Sequence, residues 1–258
     1  MIPCLRYIFM VKKENIRKMF DNISKDYDKL NHIMSLDIDK IWRRRAIKRI
    51  VDTDSPLKVL DVACGTGDFS IAIAKAMIEK KGCPYCSFSP ELKADYGRVI
   101  GVDISEGMLE IMKKKVADEG LEKLIEIRLG DGECLNFADN VFDRITIAFG
   151  IRNFENMEKG LKEMLRVLKP RGRLVILELS LPENRFMRWL FNLYFLHVLP
   201  LIGGSVSGDS SAYKYLPESV LGFPRRREFL SFLSSCGFLR VSHKAFSFGI
   251  CRMYIGEK

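Results

Sequence analysis

Three short segments place acids and glycines where an adenosine-type ligand could be held. The first, Asp61-Val-Ala-Cys-Gly-Thr-Gly67, follows a β-branched run and opens a helical pattern. Gly65 and Gly67 let the backbone pass close to a ligand, and the N-terminus of the next helix offers N–H donors. Such a loop is unselective by itself, since phosphate loops, dinucleotide sites and tight turns all use one. No Lys-Ser/Thr pair follows it, which removes the phosphate-loop reading. The second segment ends in Asp103, a strand-end carboxylate able to accept both ribose hydroxyls. Capping the helix at Ser105-Glu106 is the plainer use of the same acid. The third is Gly130-Asp131-Gly132, where an acid can take an adenine amino group.

The elements that must position these residues are readable from periodicity. Leu57–Val62 is a strand, followed by the Gly loop and a helix over 69–77. Strands at 98–103, 125–129, 142–149 and 173–179 alternate with helices at 106–118 and 156–168, the latter stopped by Lys169-Pro-Arg-Gly172. This alternation predicts a mostly parallel sheet with helices on both faces. After residue 180 come an apolar segment over about 185–210, ending in a Gly/Ser-rich loop, and a helix over 225–236. Strands at 238–247 and 250–256 close a hairpin through Ser247-Phe-Gly249, making the terminal strand antiparallel in a sheet of seven. Residues 14–50 read as helices. The gap from Gly67 to Asp103 is 36 residues, against about 20 in a dinucleotide fingerprint; a surface insertion over about 82–96 accounts for most of the excess.

The 258 residues suffice for one large α/β domain. Seven scattered cysteines and no secretory signal favour a reduced, cytoplasmic setting. The opening Met1–Phe9 is too short for a signal peptide, and Met10 is a second candidate start. The net charge of +9 is uneven: residues 1–50 carry +7, residues 206–258 carry +4, and the middle −2. A basic periphery suits a polyanion or an anionic membrane surface, with solvated helix faces as the plain alternative. No aromatic-basic RNA platform is present, so nucleic acid is not expected as a partner. The stretch 186–202 is interrupted by Arg188, Asn192, His197 and Pro200 and falls short of a membrane span. Cys83-Pro-Tyr-Cys86 has half a zinc knuckle's spacing without a second pair, so no metal is expected there.

Asp61 before the loop, Asp103, Asp131, the strand from Phe142-Asp-Arg144 to Phe149, and Leu165-Arg-Val-Leu-Lys-Pro-Arg-Gly-Arg173 together resemble the class I S-adenosylmethionine (SAM)-dependent methyltransferases, which have a Rossmann-like α/β fold. The likeness sharpens at Phe20-Asp-Asn-Ile-Ser-Lys-Asp-Tyr-Asp28, Leu30-Asn31, Met34-Ser-Leu-Asp37, Trp42-Arg43 and Phe149-Gly-Ile-Arg-Asn153. These look like signatures of the menaquinone/ubiquinone biosynthesis C-methyltransferases, over nearly the whole chain from Met10.

That resemblance implies an N-terminal helical extension or lid over 1–50 and a methyltransferase domain over 51–258, with 185–210 as an apolar substrate cover or membrane-facing patch. It implies S-adenosyl-L-methionine held by Asp61, Gly65, Thr66, Gly67, Asp103, Asp131 and Gly132, with Gly132 leaving room for its amide to approach adenine. Many members have Ser where Ala148 stands, so one hydroxyl contact is absent. The implied acceptor is a polyprenylated quinol, demethylmenaquinol ahead of a methoxy-benzoquinol; another small-molecule methyl acceptor is the rival. The implied catalytic residues are Arg152, as cationic partner of the phenolate, Asn153, which orients it, and Tyr27 from the lid. Without the resemblance, Arg152-Asn153 would read as a solvent-facing turn and Tyr27 as helix packing. Attachment to the inner face of a membrane would be transient, and monomer and homodimer both stay open.

Overall fold

A computed structural model describes residues 13–24, 27–28, 37–80, 97–194 and 211–258. In chain order the elements are α1 (Lys13–Ile23), α2 (Ile38–Ile50), β1 (Leu57–Val62), α3 (Asp68–Lys80), β2 (Gly97–Asp103), α4 (Glu106–Asp118), β3 (Ile125–Leu129) and β4 (Phe142–Ala148). They continue with a 3₁₀ turn (Ile151–Asn153), α5 (Met157–Val167), β5 (Leu168–Leu179), α6 (Arg185–Leu193), α7 (Ser211–Gly222), α8 (Arg226–Ser235), β6 (Leu239–Phe246), a second 3₁₀ turn (Ser247–Gly249) and β7 (Cys251–Glu257).

The strands form one sheet in the order β3-β2-β1-β4-β5-β7-β6. β1 to β5 run parallel, and β7 enters antiparallel between β5 and β6. Successive residues of a strand face opposite sides, so each strand feeds two cores. Val59, Val99, Val175 and Met253 face α2, α3 and α4; Leu60, Ile100, Ile145 and Ile176 face α5 and α8. Each such side chain, fully buried, contributes about 1.5–3 kcal/mol. The strand order reverses between β1 and β4, and the crevice outside the carboxyl ends at that point is where open α/β sheets hold ligands.

Four places differ from the sequence expectation or add to it. The segment Lys169-Pro-Arg-Gly172 does not separate helix from strand. β5 already begins at Leu168, which pairs with Phe142, and a register shift with Arg171 at φ 63° absorbs the extra residues. Of the expected 1–50 extension, α2 packs Trp42, Ala46 and Ile50 into the main core, while α1 and Tyr27 lie over the crevice. At the start of the expected apolar cover, α6 leaves Phe186 and Trp189 more than half exposed, with Leu190 and Leu193 partly so. α7 had no counterpart in the sequence reading, because Pro217 and a Ser/Gly-rich start obscure its period. The insertion at 82–96 with Cys83 and Cys86, and the remainder of the apolar cover, lie outside the described residues. Among the described residues no helix is long and apolar enough to cross a membrane.

Candidate active site

The carboxyl ends of β1 to β4 enclose a cleft of about 660 Å³, part of it open to solvent, and α1 lies over it. Gly65, Asp103, Asp131, Gly132, Asn153 and Tyr27 line this cleft; Asp61, Thr66, Gly67 and Arg152 do not. Six of the ten residues expected at the site therefore converge, and the other four have work behind it.

Asp61 points into the protein, where its Oδ2 accepts a 2.6 Å bond from the Ser70 hydroxyl. Burial raises its carboxyl to about 7, outweighing the Ser70 bond. Gly67, at φ 86°, makes the close approach to Met112: a Cβ there would stand 2.4 Å from Met112 Cγ. The loop glycine thus serves the packing of α4 as well as the turn. Thr66 is buried, donates to Asp28 Oδ1 at 2.5 Å and accepts from Lys115 Nζ at 3.2 Å.

Asp103 does two things at once. Its Oδ1 accepts the Ser105 N–H at 2.9 Å, the local bond expected of an acid at a helix start, and Oδ2 accepts the Gly65 N–H at 2.8 Å. A carboxylate has about four lone-pair directions, so the acid that fixes the loop keeps capacity toward ligand hydroxyls in the cleft. Burial raises its carboxyl above the usual range against these bonds.

Asp131 Oδ1 accepts from the Glu133 N–H at 2.9 Å, and Oδ2 takes Lys13 Nζ of α1 at 2.6 Å. Lys13 also reaches buried Glu133 at 3.2 Å. Burial pulls the Lys13 ammonium down, but these two acids leave it raised. Gly132 lines the cleft, and the lack of a side chain also serves packing behind it. A Cβ there would meet Phe154 at 2.6 Å and Val62 at 2.7 Å, so its small size admits the Phe154 ring.

α1 is fastened over the cleft by further carboxylates. Asp21 Oδ1 accepts from Ser105 Oγ at 2.6 Å and from the Gly107 N–H at 3.1 Å, at the start of α4. Asp28 pairs with Lys115 and Thr66. Tyr27 packs edge-on against Phe20, ring centres 5.9 Å apart.

The profile of the ubiE/COQ5 methyltransferase family matches residues 8–258. The chain belongs to the ubiE/COQ5 methyltransferase family. It is 44% identical over 247 residues to the demethylmenaquinone methyltransferase of Bacteroides fragilis, covering 96% of this chain and 94% of the relative. It is 44% identical over 252 residues to the ubiquinone/menaquinone biosynthesis C-methyltransferase UbiE of Geobacter sulfurreducens, covering 98% and 91%. The fold matches a SAM-dependent methyltransferase of Thermotoga maritima, with TM-score 0.61, 16% identity and coverage of 94% and 99%.

In this ubiE/COQ5 methyltransferase the second half of the cleft is built around the 3₁₀ turn after β4. Arg152 is not a free cation at a surface turn. Its side chain is buried: Nη1 donates to Glu178 Oε1 at 2.7 Å and to the Phe149 carbonyl at 2.5 Å, and Nε donates to Ser219 Oγ at 3.2 Å. Glu178, fully buried at the end of β5, also accepts the Arg152 backbone N–H at 3.3 Å. Burial works against the guanidinium's charge, but Glu178 keeps it raised. Asn153 faces the cleft, and its Oδ1 accepts the Tyr215 hydroxyl at 2.9 Å.

Lys13, Asp21, Glu133, Glu178, Tyr215 and Ser219 were not singled out from sequence. Glu178 obeys the same rule that picked out Asp103 and Asp131, an acid closing a parallel strand, and was findable. The α7 residues were hidden with their helix.

Proposed function

We propose that this ubiE/COQ5 methyltransferase moves a methyl group from S-adenosylmethionine to a ring carbon of demethylmenaquinol, giving menaquinol. The observation that carries this reading is 44% identity, over 96% of the chain, to a relative named for that activity. Ring methylation of a polyprenyl methoxy-benzoquinol is the second reading, favoured by the equally similar relative named for both pathways.

S-adenosylmethionine, when bound, supplies a methyl group made electrophilic by its sulfonium. Asp103 is assigned to the ribose hydroxyls and Asp131 to the adenine amino group, at neighbouring strand ends. Gly65 contributes the loop backbone beside them. Thr66 and Gly67 support that loop from behind, and Asp61 anchors its strand to α3 through Ser70.

The acceptor carbon becomes nucleophilic when the adjacent hydroxyl loses its proton, because the charge is shared with the ring. Such a hydroxyl resembles a tyrosine phenol, with a pKa of about 10, so the chain must stabilise the anion. Asn153 is assigned to the acceptor oxygen as a hydrogen-bond donor. Tyr27 closes the cleft from the lid, and Arg152 supplies positive potential from behind Asn153 with its charge balanced by Glu178. The exposed aromatic face of α6 suits the prenyl tail or the bilayer that carries it, and the basic exterior suits an anionic headgroup layer.

Purified protein with labelled S-adenosylmethionine and a panel of reduced demethylmenaquinone and methoxy-polyprenyl-benzoquinol tests the assignment. Label in the menaquinol alone supports the first reading and label in both supports the second. Label in neither sinks both.

A further inference from the structure

Tyr215 and Ser219 stand one helical turn apart, so both project from one face of α7. Both reach the same 3₁₀ turn: the Tyr215 hydroxyl donates to Asn153 Oδ1 at 2.9 Å, and Ser219 Oγ accepts from Arg152 Nε at 3.2 Å. Ser219 in turn donates to the Leu216 carbonyl at 2.8 Å, which fixes its lone pairs toward Arg152. On the other side, Glu178 and the Phe149 carbonyl take Arg152 Nη1. Arg152 is therefore held from both sides, by a strand end and by a helix, and Asn153 is held by the helix.

The consequence is sharpest for Asn153. A carboxamide can present either its oxygen or its amine to a ligand, and only its partners decide which. With Oδ1 accepting from the Tyr215 hydroxyl, the Nδ2 N–H₂ group is left for a ligand in the cleft that Asn153 lines. The amide N–H₂ group only donates, which is what a phenolate oxygen requires. Tyr215 itself does not line the cleft. Burial raises its phenol's pKa, against the lowering effect of Arg152, so it remains protonated and able to donate at neutral pH.

We propose that Tyr215 is a positioning residue that sets the sense of the Asn153 amide, presenting its amine to the oxygen of the methyl acceptor, with Ser219 holding Arg152 in the same grip. The proposal rests on the reading that Asn153 serves the acceptor oxygen.

The test compares full-length Tyr215→Phe, Asn153→Ala and the double variant, each with demethylmenaquinol and labelled S-adenosylmethionine. Tyr215→Phe preserves volume and removes one hydroxyl. The expected loss in kcat is about tenfold, with the dissociation constant for S-adenosylmethionine unchanged. Asn153→Ala is expected to cost about a hundredfold, and the double variant no more than Asn153→Ala alone, because the hydroxyl acts only through the amide. Additive losses, or wild-type kcat in Tyr215→Phe beside an impaired Asn153→Ala, overturn the proposal while leaving the role of Asn153 intact. Wild-type kcat in Asn153→Ala removes the underlying reading instead. Asn153→Asp decides the amide's sense even where Tyr215→Phe folds poorly. It still accepts from Tyr215 but has no amine, so it should lose turnover as Asn153→Ala does. Retained turnover in Asn153→Asp overturns the proposal.

Discussion

At the scale of single residues, the cleft depends on acids and an arginine that no ligand need touch. Asp61 titrates at about 7 in the fold, against about 3.9 for a free side chain. An acid whose folded pKa lies above its unfolded one binds a proton more readily when folded, so stability falls as pH rises from about 4 to about 7. Asp61→Asn keeps the Ser70 bond and cannot ionise. Its melting temperature should lose that decline, so the difference between variant and wild type widens toward pH 7; parallel curves would show that Asp61 does not titrate there. The buried Arg152–Glu178 pair gives a second test. Arg152→Ala alone strands a charged carboxylate and should cost about 3–5 kcal/mol. Arg152→Met with Glu178→Gln removes both charges and keeps an acceptor for the backbone N–H groups, so denaturant midpoints should recover toward wild type. Turnover should stay low, separating the catalytic demand for the arginine from its structural one. Asp103 and Asp131 were legible as cleft residues because each acid follows a parallel strand beside the Gly loop. The reason for Gly132 was not legible, since the ring it admits comes from Phe154, which only the folded chain brings near.

At the scale of elements, the parallel core was readable because each strand is a short β-branched run bounded by a turn, and each helix an apolar stripe. The elements that escaped are those whose local signals mislead. Lys169-Pro-Arg-Gly172 carries helix-stop chemistry, yet the antiparallel neighbour draws the stretch into β5 through Arg171 N–H to the Lys258 carbonyl at 3.1 Å and Lys258 N–H to the Gly172 carbonyl at 3.1 Å. α7 is a helix in spite of Pro217 because tertiary contacts to the 3₁₀ turn offset the lost backbone bond. α1 has two buried residues, Ile16 and Ile23, and is held to the body largely by polar latches. Asp21→Ala removes the latch to Ser105 and Gly107 without touching the cleft lining. It should weaken S-adenosylmethionine binding about five- to tenfold in calorimetric titration and leave the melting temperature nearly unchanged. Unaltered affinity would show that α1 closes without that bond.

At the scale of the whole molecule, cations and apolar side chains both stand on the exterior. Arg44, Arg45, Lys48 and Arg49 are exposed on α2, and Phe186 and Trp189 stack on the outer face of α6 with ring centres 6.2 Å apart. If this exterior meets a bilayer, protein should sediment with anionic vesicles and be released by salt. Phe186→Ser with Trp189→Ser should cut vesicle binding more than about tenfold and leave turnover of a short-tailed acceptor unchanged. Equal binding by variant and wild type would place the contact elsewhere. The sheet order carries a different consequence, for the history of the chain. β7 lies between β5 and β6, although it follows both in sequence. During synthesis β5 therefore has an unpaired flank until nearly the whole domain has left the ribosome, and β6 has no strand to join. An open hydrophobic edge of this kind recruits other strands. The nascent protein thus passes through a late window of aggregation risk that closes in one step, when the last strand slots into the gap.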